Sequence, residues 1–131
     1  MSTVLGLARL LQGDGAYLVA WIDDEPVGHV YLVATDSPEL QDVSVRPEYR
    51  RRGIASALVR AAEHEARDRR CDRLRLEVSV DNGAAQALYR SLGYGDTGAP
   101  PKRVQGTVVI RTGPIEVDDT HLIWEKLLTP P

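Results

Sequence analysis

The sequence predicts an α/β fold with a mixed central sheet, and three observations carry that expectation. A strand, a long amphipathic helix and a second strand follow one another across residues 40–80. That order makes a right-handed crossover between parallel strands. Ahead of it, residues 16–22 and 27–34 are two apolar runs separated by Asp23-Asp24-Glu25-Pro26, a β-hairpin pattern. Behind it, residues 106–111 and 121–128 read as two closing strands. The flanking hairpins make the rest of the sheet antiparallel. The chain has 131 residues, 43% hydrophobic and 27% charged, so it is expected to form one globular domain over residues 1–131 with a core that needs neither disulfide nor metal.

The elements follow in order. Val4, Leu7, Leu10 and Leu11 stand at helical spacing, so residues 2–12 are expected to form a short helix, broken by Gly13-Asp14-Gly15. The hairpin comes next. Residues 40–45 are its neighbouring strand, closed by Pro47. Residues 51–70 form the longest helix, with Ile54, Leu58, Ala61, Ala62 and Ala66 inward. From residue 74 to 80 the pattern alternates: Leu74, Leu76, Val78 and Val80 on one face, Arg75, Glu77 and Ser79 on the other. Residues 83–92 are a helix that Asp81 or Asn82 caps, and Gly93 sits where a left-handed residue ends it.

Charge narrows the function classes. The net charge is -3, yet residues 46–75 hold ten arginines against five acids. A local basic patch on an acidic protein suits a small anion better than a nucleic acid. No apolar run approaches the roughly 20 residues that cross a bilayer. The start of the chain lacks the basic and long apolar stretches of a signal peptide, and Cys71 is the single cysteine. The cytoplasm is the expected compartment. His29, His64 and His121 have no ligand spacing, so no metal is expected.

The strongest local signal is Val45-Arg46-Pro47-Glu48-Tyr49-Arg50-Arg51-Arg52-Gly53-Ile54-Ala55. A strand ends, an arginine-rich loop follows, and a long helix begins. Helix starts present unpaired N–H groups and partial positive charge, which hold phosphate. Gly53 and Ala55 are small enough for close backbone approach. A lone Arg-x-x-Gly-x-Ala also fits an ordinary helix start with exposed arginines. A second motif lies about 35 residues on, Asn82-Gly83-Ala84-Ala85-Gln86-Ala87-Leu88-Tyr89-Arg90-Ser91-Leu92-Gly93-Tyr94.

Together the two motifs resemble the GNAT (Gcn5-related N-acetyltransferase) superfamily. Arg50, Gly53 and Ala55 match its Arg/Gln-x-x-Gly-x-Gly/Ala signature. The second run looks like its Asn-x-x-Ala-x-x-Leu-Tyr-x-x-x-Gly-Phe/Tyr. Around Leu76-Glu77-Val78 the chain is nearest to the branch that acetylates the N-terminal alanine of a ribosomal protein. The resemblance implies a GNAT fold whose parallel strands splay apart, with acetyl-CoA as cosubstrate in the gap. It places the pantetheine arm along Val43, Ser44 and Val45. It places the pyrophosphate on Arg50, Arg51, Arg52, Gly53, Ile54, Ala55 and Ser56, with Asn82 and Ala85 as further contacts. Asn82 also fits a plain helix cap.

The implied reaction is direct attack of a primary amine, from a small molecule or a peptide, on the thioester. The resemblance gives Tyr89 the role of general acid toward the leaving thiolate, and Glu77 that of base, through water. Asp42 is the alternative base, and a salt bridge to Arg75 or another arginine is the plain reading of Glu77. A backbone amide near Val43 or Val45 is expected to meet the oxyanion. Cys71 is expected to be a small buried residue without a catalytic part. His64 reads as helix surface, His29 as a residue that could face the acceptor, and Trp21 and Trp124 as core or interface.

The family opens with a strand and two helices before its first hairpin. Here some 15 residues precede the hairpin, so the first strand and first helix are read as missing, an N-terminally shortened fold. Residues 96–120 are read as a long loop that shapes the acceptor site. An uncovered strand at residues 16–22 then predicts a homodimer, paired at that edge or around Trp124. The competing expectation is an acetyl-CoA-binding sensor or regulatory module with little turnover.

Overall fold

The computed structural model describes residues 5–129. They fall into two compact units, one of residues up to 75 together with those from 126 on, the other of residues 76–125.

In the first unit four strands lie side by side in sequence order: β1 (Leu5–Gln12), β2 (Gly15–Ile22), β3 (Glu25–Val33) and β4 (Glu39–Val45). Their ladders are antiparallel. The start of β5 (Arg73–Ser79) adds to β4 in parallel through Glu39 and Arg75. Helix α1 (Ile54–Asp68) packs on this sheet with Ile54, Leu58, Val59, Ala62 and Ala66 buried. They meet the buried face of the strands, Leu18, Ala20, Val30, Leu32 and Leu40 among them. Each fully buried Leu or Val here contributes about 1.5–3 kcal/mol. Ala61 is only half-buried. Gly28 lets the strands close up, because a Cβ there would lie 2.8 Å from the Ser44 carbonyl oxygen and 3.1 Å from Leu58.

The helix expected over residues 2–12 is instead a strand from Leu5 on; residues 2–4 lie outside the described residues. All eight residues of β1 pair with β2, from Leu5 opposite Ile22 to Gln12 opposite Gly15. Gly13 and Asp14 make the two-residue turn, Gly13 at φ 50°, the left-handed geometry that tight hairpins require. An open edge on β2 would leave a row of backbone groups unpaired, and filling it overrides a weak helical preference. Arg9 on β1 then reaches Glu65 on α1 at 2.6 Å, and Arg69 holds the same carboxylate at 3.0 Å. The first strand is therefore present, and β1 runs into β2 with no helix between them.

Helix α1 begins three residues later than expected, because Arg51 (φ 64°) and Gly53 (φ 77°) are both left-handed. Pro47–Tyr49 form a turn of 3-10 helix before it.

The second unit holds the rest of β5, helix α2 (Gly83–Ser91), β6 (Gly95–Asp96), β7 (Lys102–Ile110) and most of β8 (Gly113–Leu127). Strand β8 lies between β5 and β6 and also pairs with β7. Asn82 caps α2, its Oδ1 accepting from Ala85 N at 3.0 Å, and Gly93 ends the segment at φ 96°. Val80, expected on the inner face, is exposed beyond the end of β5.

The long loop expected over residues 96–120 is mostly an antiparallel hairpin, paired from Lys102 opposite His121 to Ile110 opposite Gly113. Gly106, Pro114 and the acids of residues 116–119 hide its strands from a propensity reading. One face carries Val104, Val108, Ile110, Ile115 and Val117; the other carries the Arg103–Asp118 pair and the Thr107–Glu116 hydrogen bond. Val108, Ile110 and Ile115 are each over 40% exposed. Trp124 is buried, whereas Trp21 is partly exposed on β2. The two routes expected for a dimer are thus altered: β1 covers the β2 edge, and Trp124 is buried.

Candidate active site

The phosphate-binding candidate lies wholly in the first unit. Strand β4 ends at Val45 and α1 starts at Ile54. No side chain caps α1 at Gly53, and the first helical bond runs from Ala57 N to Gly53 O at 3.0 Å. The amides of Ile54, Ala55 and Ser56 thus precede the helical ladder and form the positive end of the helix dipole. Ile54 sends its side chain into the core and offers only its backbone outward. A Cβ on Gly53 would meet nothing within 4 Å. Arg50, Arg51 and Arg52 are exposed around this opening. Arg50 Nε donates to the Val45 carbonyl at 3.2 Å, fastening the loop, and Arg52 lies over the Tyr49 ring. Arg46 is engaged by Glu25 and Glu48.

Strand β4 itself is irregular where the sequence places Val43, Ser44 and Val45. Gln41 pairs with Tyr31 and Ser44 with His29, so Asp42 and Val43 oppose the single residue Val30. That is a β-bulge, with Asp42 at φ 55°. A bulge turns backbone amides out of the ladder, as an oxyanion contact at Val43 would need. Asp42, the alternative base, is exposed there. A cavity of about 460 Å³ adjoins the loop, lined by Tyr17, His29, Ser44, Val45, Arg46 and Arg50 among others. Tyr17 stacks on Tyr31 at 4.5 Å and lies 5.6 Å from the His29 ring. His29 therefore faces a cavity, while His64 is on the helix surface.

In the second unit Tyr89 is 8% exposed on α2, edge-on to Tyr94 at 6.1 Å. Burial raises its phenol pKa above the ordinary 10. Glu77 is not paired with Arg75. Its Oε1 lies 2.9 Å from His121 Nδ1, and Lys102 Nζ donates to Oε2 at 3.2 Å. His121 Nε2 is 3.2 Å from Asp119 Oδ2, and Ser79 donates to Asp119 Oδ1 at 2.9 Å. Burial pushes the Glu77 carboxyl up, but the His121 and Lys102 hydrogen bonds outweigh it and hold it below the usual range. The hydrogen bond from Ser79, foremost, does the same for Asp119. His121, Asp119 and Lys102 carried no sequence signal, since Lys102 and His121 reach Glu77 from 25 and 44 positions away and Asp119 joins only through His121. Gln86, inside the second motif, ties α2 to the end of β5 by donating to the Ser79 and Val80 carbonyls. Burial raises the Cys71 thiol, away from nucleophilic use. Among the described residues no group of His, Cys, Asp and Glu is placed to hold a metal ion.

The sequence pattern of the acetyltransferase (GNAT) family matches residues 4–94. The chain belongs to that family. Both motifs of the GNAT reading fall inside the match. A Bacillus subtilis relative, provisionally named a [ribosomal protein bS18]-alanine N-acetyltransferase, is 32% identical over 78 residues, covering 59% of this chain and 52% of the relative. The chain thus spans about half the length of that relative. The Escherichia coli ribosomal-protein-S18-alanine N-acetyltransferase shares the GNAT fold at a TM-score of 0.70 and 23% identity, over 92% of this chain and 74% of that one. A GNAT family acetyltransferase from Elizabethkingia anophelis, with acetyl-CoA bound, gives a TM-score of 0.68 at 17% identity, over 88% of this chain and 77% of that one. The mixed sheet with its parallel β4–β5 pair is the architecture this similarity requires.

Proposed function

We propose that this GNAT protein is an N-acetyltransferase that moves the acetyl group of acetyl-CoA to a primary amine of a small molecule or peptide. The observation that carries this reading is the uncapped start of α1, where Gly53 leaves open space over backbone amides and three arginines surround it. A pyrophosphate suits that cradle.

Each residue has a role in this reading. The amides from Arg51 to Ser56 take the pyrophosphate, with Arg50 bracing the loop. The backbone of Val43, Ser44 and Val45 takes the pantetheine arm, and the bulge amide at Val43 meets the oxyanion. Ala85 N donates to Asn82 Oδ1 and so holds the start of α2, which leaves the Asn82 Nδ2 group to donate to the cofactor. Bound acetyl-CoA supplies an activated thioester carbonyl. Glu77 accepts the amine's proton through water, and His121 and Asp119 behind it spread the arriving charge. Tyr89 delivers a proton to sulfur as the C–S bond breaks. A phenol above 10 can do this because a desolvated thiolate is more basic than its usual 8.5. Acetyl-CoA use fits the cytoplasm.

The chemistry is tested by thiol release from acetyl-CoA across a panel of amines, with binding measured by calorimetry. Release that depends on an added amine is the expected result. Binding without release from any amine would favour the second reading, a sensor or regulatory module. That reading draws on the direct β1–β2 turn, which leaves out the helices that help shape the family's acceptor pocket.

The oligomer we infer is a homodimer, now on different ground from the β2 edge. A two-stranded hairpin is marginal alone in water, and the β7–β8 hairpin exposes the apolar face described above. A second copy presenting the same face would cover it. Sedimentation at micromolar concentration should give twice 14.4 kDa, and Val108→Lys should return the monomer. A wild-type monomer across that range would refute the dimer.

A further inference from the structure

Lys102 opens β7 opposite His121 on β8. Its Nζ lies 3.2 Å from Glu77 Oε2, the carboxylate that the reading above makes the proton acceptor for an incoming amine. A primary amine of the chain itself thus stands where a substrate amine would surrender its proton. The other Glu77 oxygen is taken by His121, so Oε2 is the one an acceptor must use. The Lys102 side chain is 57% exposed. An exposed ion pair of this kind is worth at most about 1 kcal/mol, too little to lock the amine in place.

The chain contains one other lysine, Lys126, and its situation is the opposite. Its Nζ donates to both oxygens of Glu63 at 3.0 and 3.1 Å, and that carboxylate is 3% exposed. An ammonium held in this way is withdrawn from acylation.

We propose that Lys102 is an acetyl acceptor within the enzyme itself, modified in cis; this rests on the acetyltransferase reading and on Glu77 as its base. The Lys102 ammonium loses one proton toward Glu77. The free amine attacks the thioester carbonyl, an N–C bond forms and the C–S bond breaks. The nitrogen gives up a second proton as the amide forms. One of the two protons ends on the coenzyme A sulfur and the other reaches solvent. No oxidant or further reactant is needed. The acetylated side chain has no positive charge, so Glu77 Oε2 becomes free for an external amine. The modification therefore relieves an occupant of the acceptor position.

The test incubates the purified full chain with acetyl-CoA alone and follows the Lys102 and Lys126 peptides by mass spectrometry. Calorimetry and the amine panel run in parallel. The expected result is one acetyl group on Lys102, none on Lys126, and a rate constant independent of protein concentration. Glu77→Gln should slow the modification by roughly 10²-fold or more while acetyl-CoA affinity stays unchanged. Equal acetylation of both lysines, an unaltered rate in Glu77→Gln, or a rate constant proportional to protein concentration would each overturn the proposal. Turnover of an external amine with Lys102 unmodified would overturn it and leave the acetyltransferase reading standing. Absence of acetyl-CoA binding would remove both.

Discussion

Replacing Tyr89 with Phe should leave acetyl-CoA affinity unchanged and lower turnover by about 10²–10⁴-fold, the usual loss when a positioned proton donor is removed. Steady-state rates at neutral pH, with calorimetric affinity beside them, make the check. The substitution is clean on structural grounds. The ring is 8% exposed and packs edge-on against Tyr94, contacts that Phe retains. Only the hydroxyl is lost. Burial holds the phenol protonated well past neutral pH, so the wild-type activity should not fall as pH rises from 7 to 9 on account of Tyr89. A variant keeping more than about a third of the wild-type rate would remove Tyr89 from the role, because that loss is far below the range for a lost donor.

The elements legible in the sequence are those whose signals are local. Asn82 and Gly93 announce both ends of α2 because capping and left-handed termination are decided within one turn. The alternation from Leu74 to Val78 announces β5, since one of its faces is buried. Strand β1 was hidden for the opposite reason. Val4, Leu7, Leu10 and Leu11 fit a helix locally, and the decision is made by the open edge of β2, which no window of sequence contains. The turn Gln12-Gly13-Asp14-Gly15 was the available clue, a two-residue glycine turn between apolar runs. The same holds for Glu77. Its place on the polar side of β5 is readable from alternation, but its partners arrive from β7 and β8. A cluster assembled across a sheet has no spacing to detect. The cofactor loop is the intermediate case: Arg50, Gly53 and Ala55 announce it, while the left-handed Arg51 that delays α1 could not be read from residue type.

Gly53→Val should weaken acetyl-CoA binding by roughly 10²–10⁴-fold, and calorimetry reads it directly. The estimate follows from the loss of about two charge-assisted hydrogen bonds, each worth about 1.5–3 kcal/mol, with about 1.4 kcal/mol per tenfold. A Cβ at Gly53 meets no protein atom within 4 Å, so the added side chain fills the space in front of the α1 amides rather than the core. The backbone adds its own term. Gly53 sits at φ 77°, and a left-handed β-branched residue costs about 1–2 kcal/mol. That strain acts on folding, and denaturant unfolding measures it apart from binding. Gly98 supplies the control, because it has φ 79° and equally open surroundings but lies outside the loop. Gly98→Val should show comparable strain and undiminished acetyl-CoA affinity. If Gly53→Val bound acetyl-CoA as tightly as the wild type, the α1 start would not be the pyrophosphate site. If Gly98→Val weakened binding to the same degree, the effect would belong to general destabilisation and the assignment of the loop would fall with it.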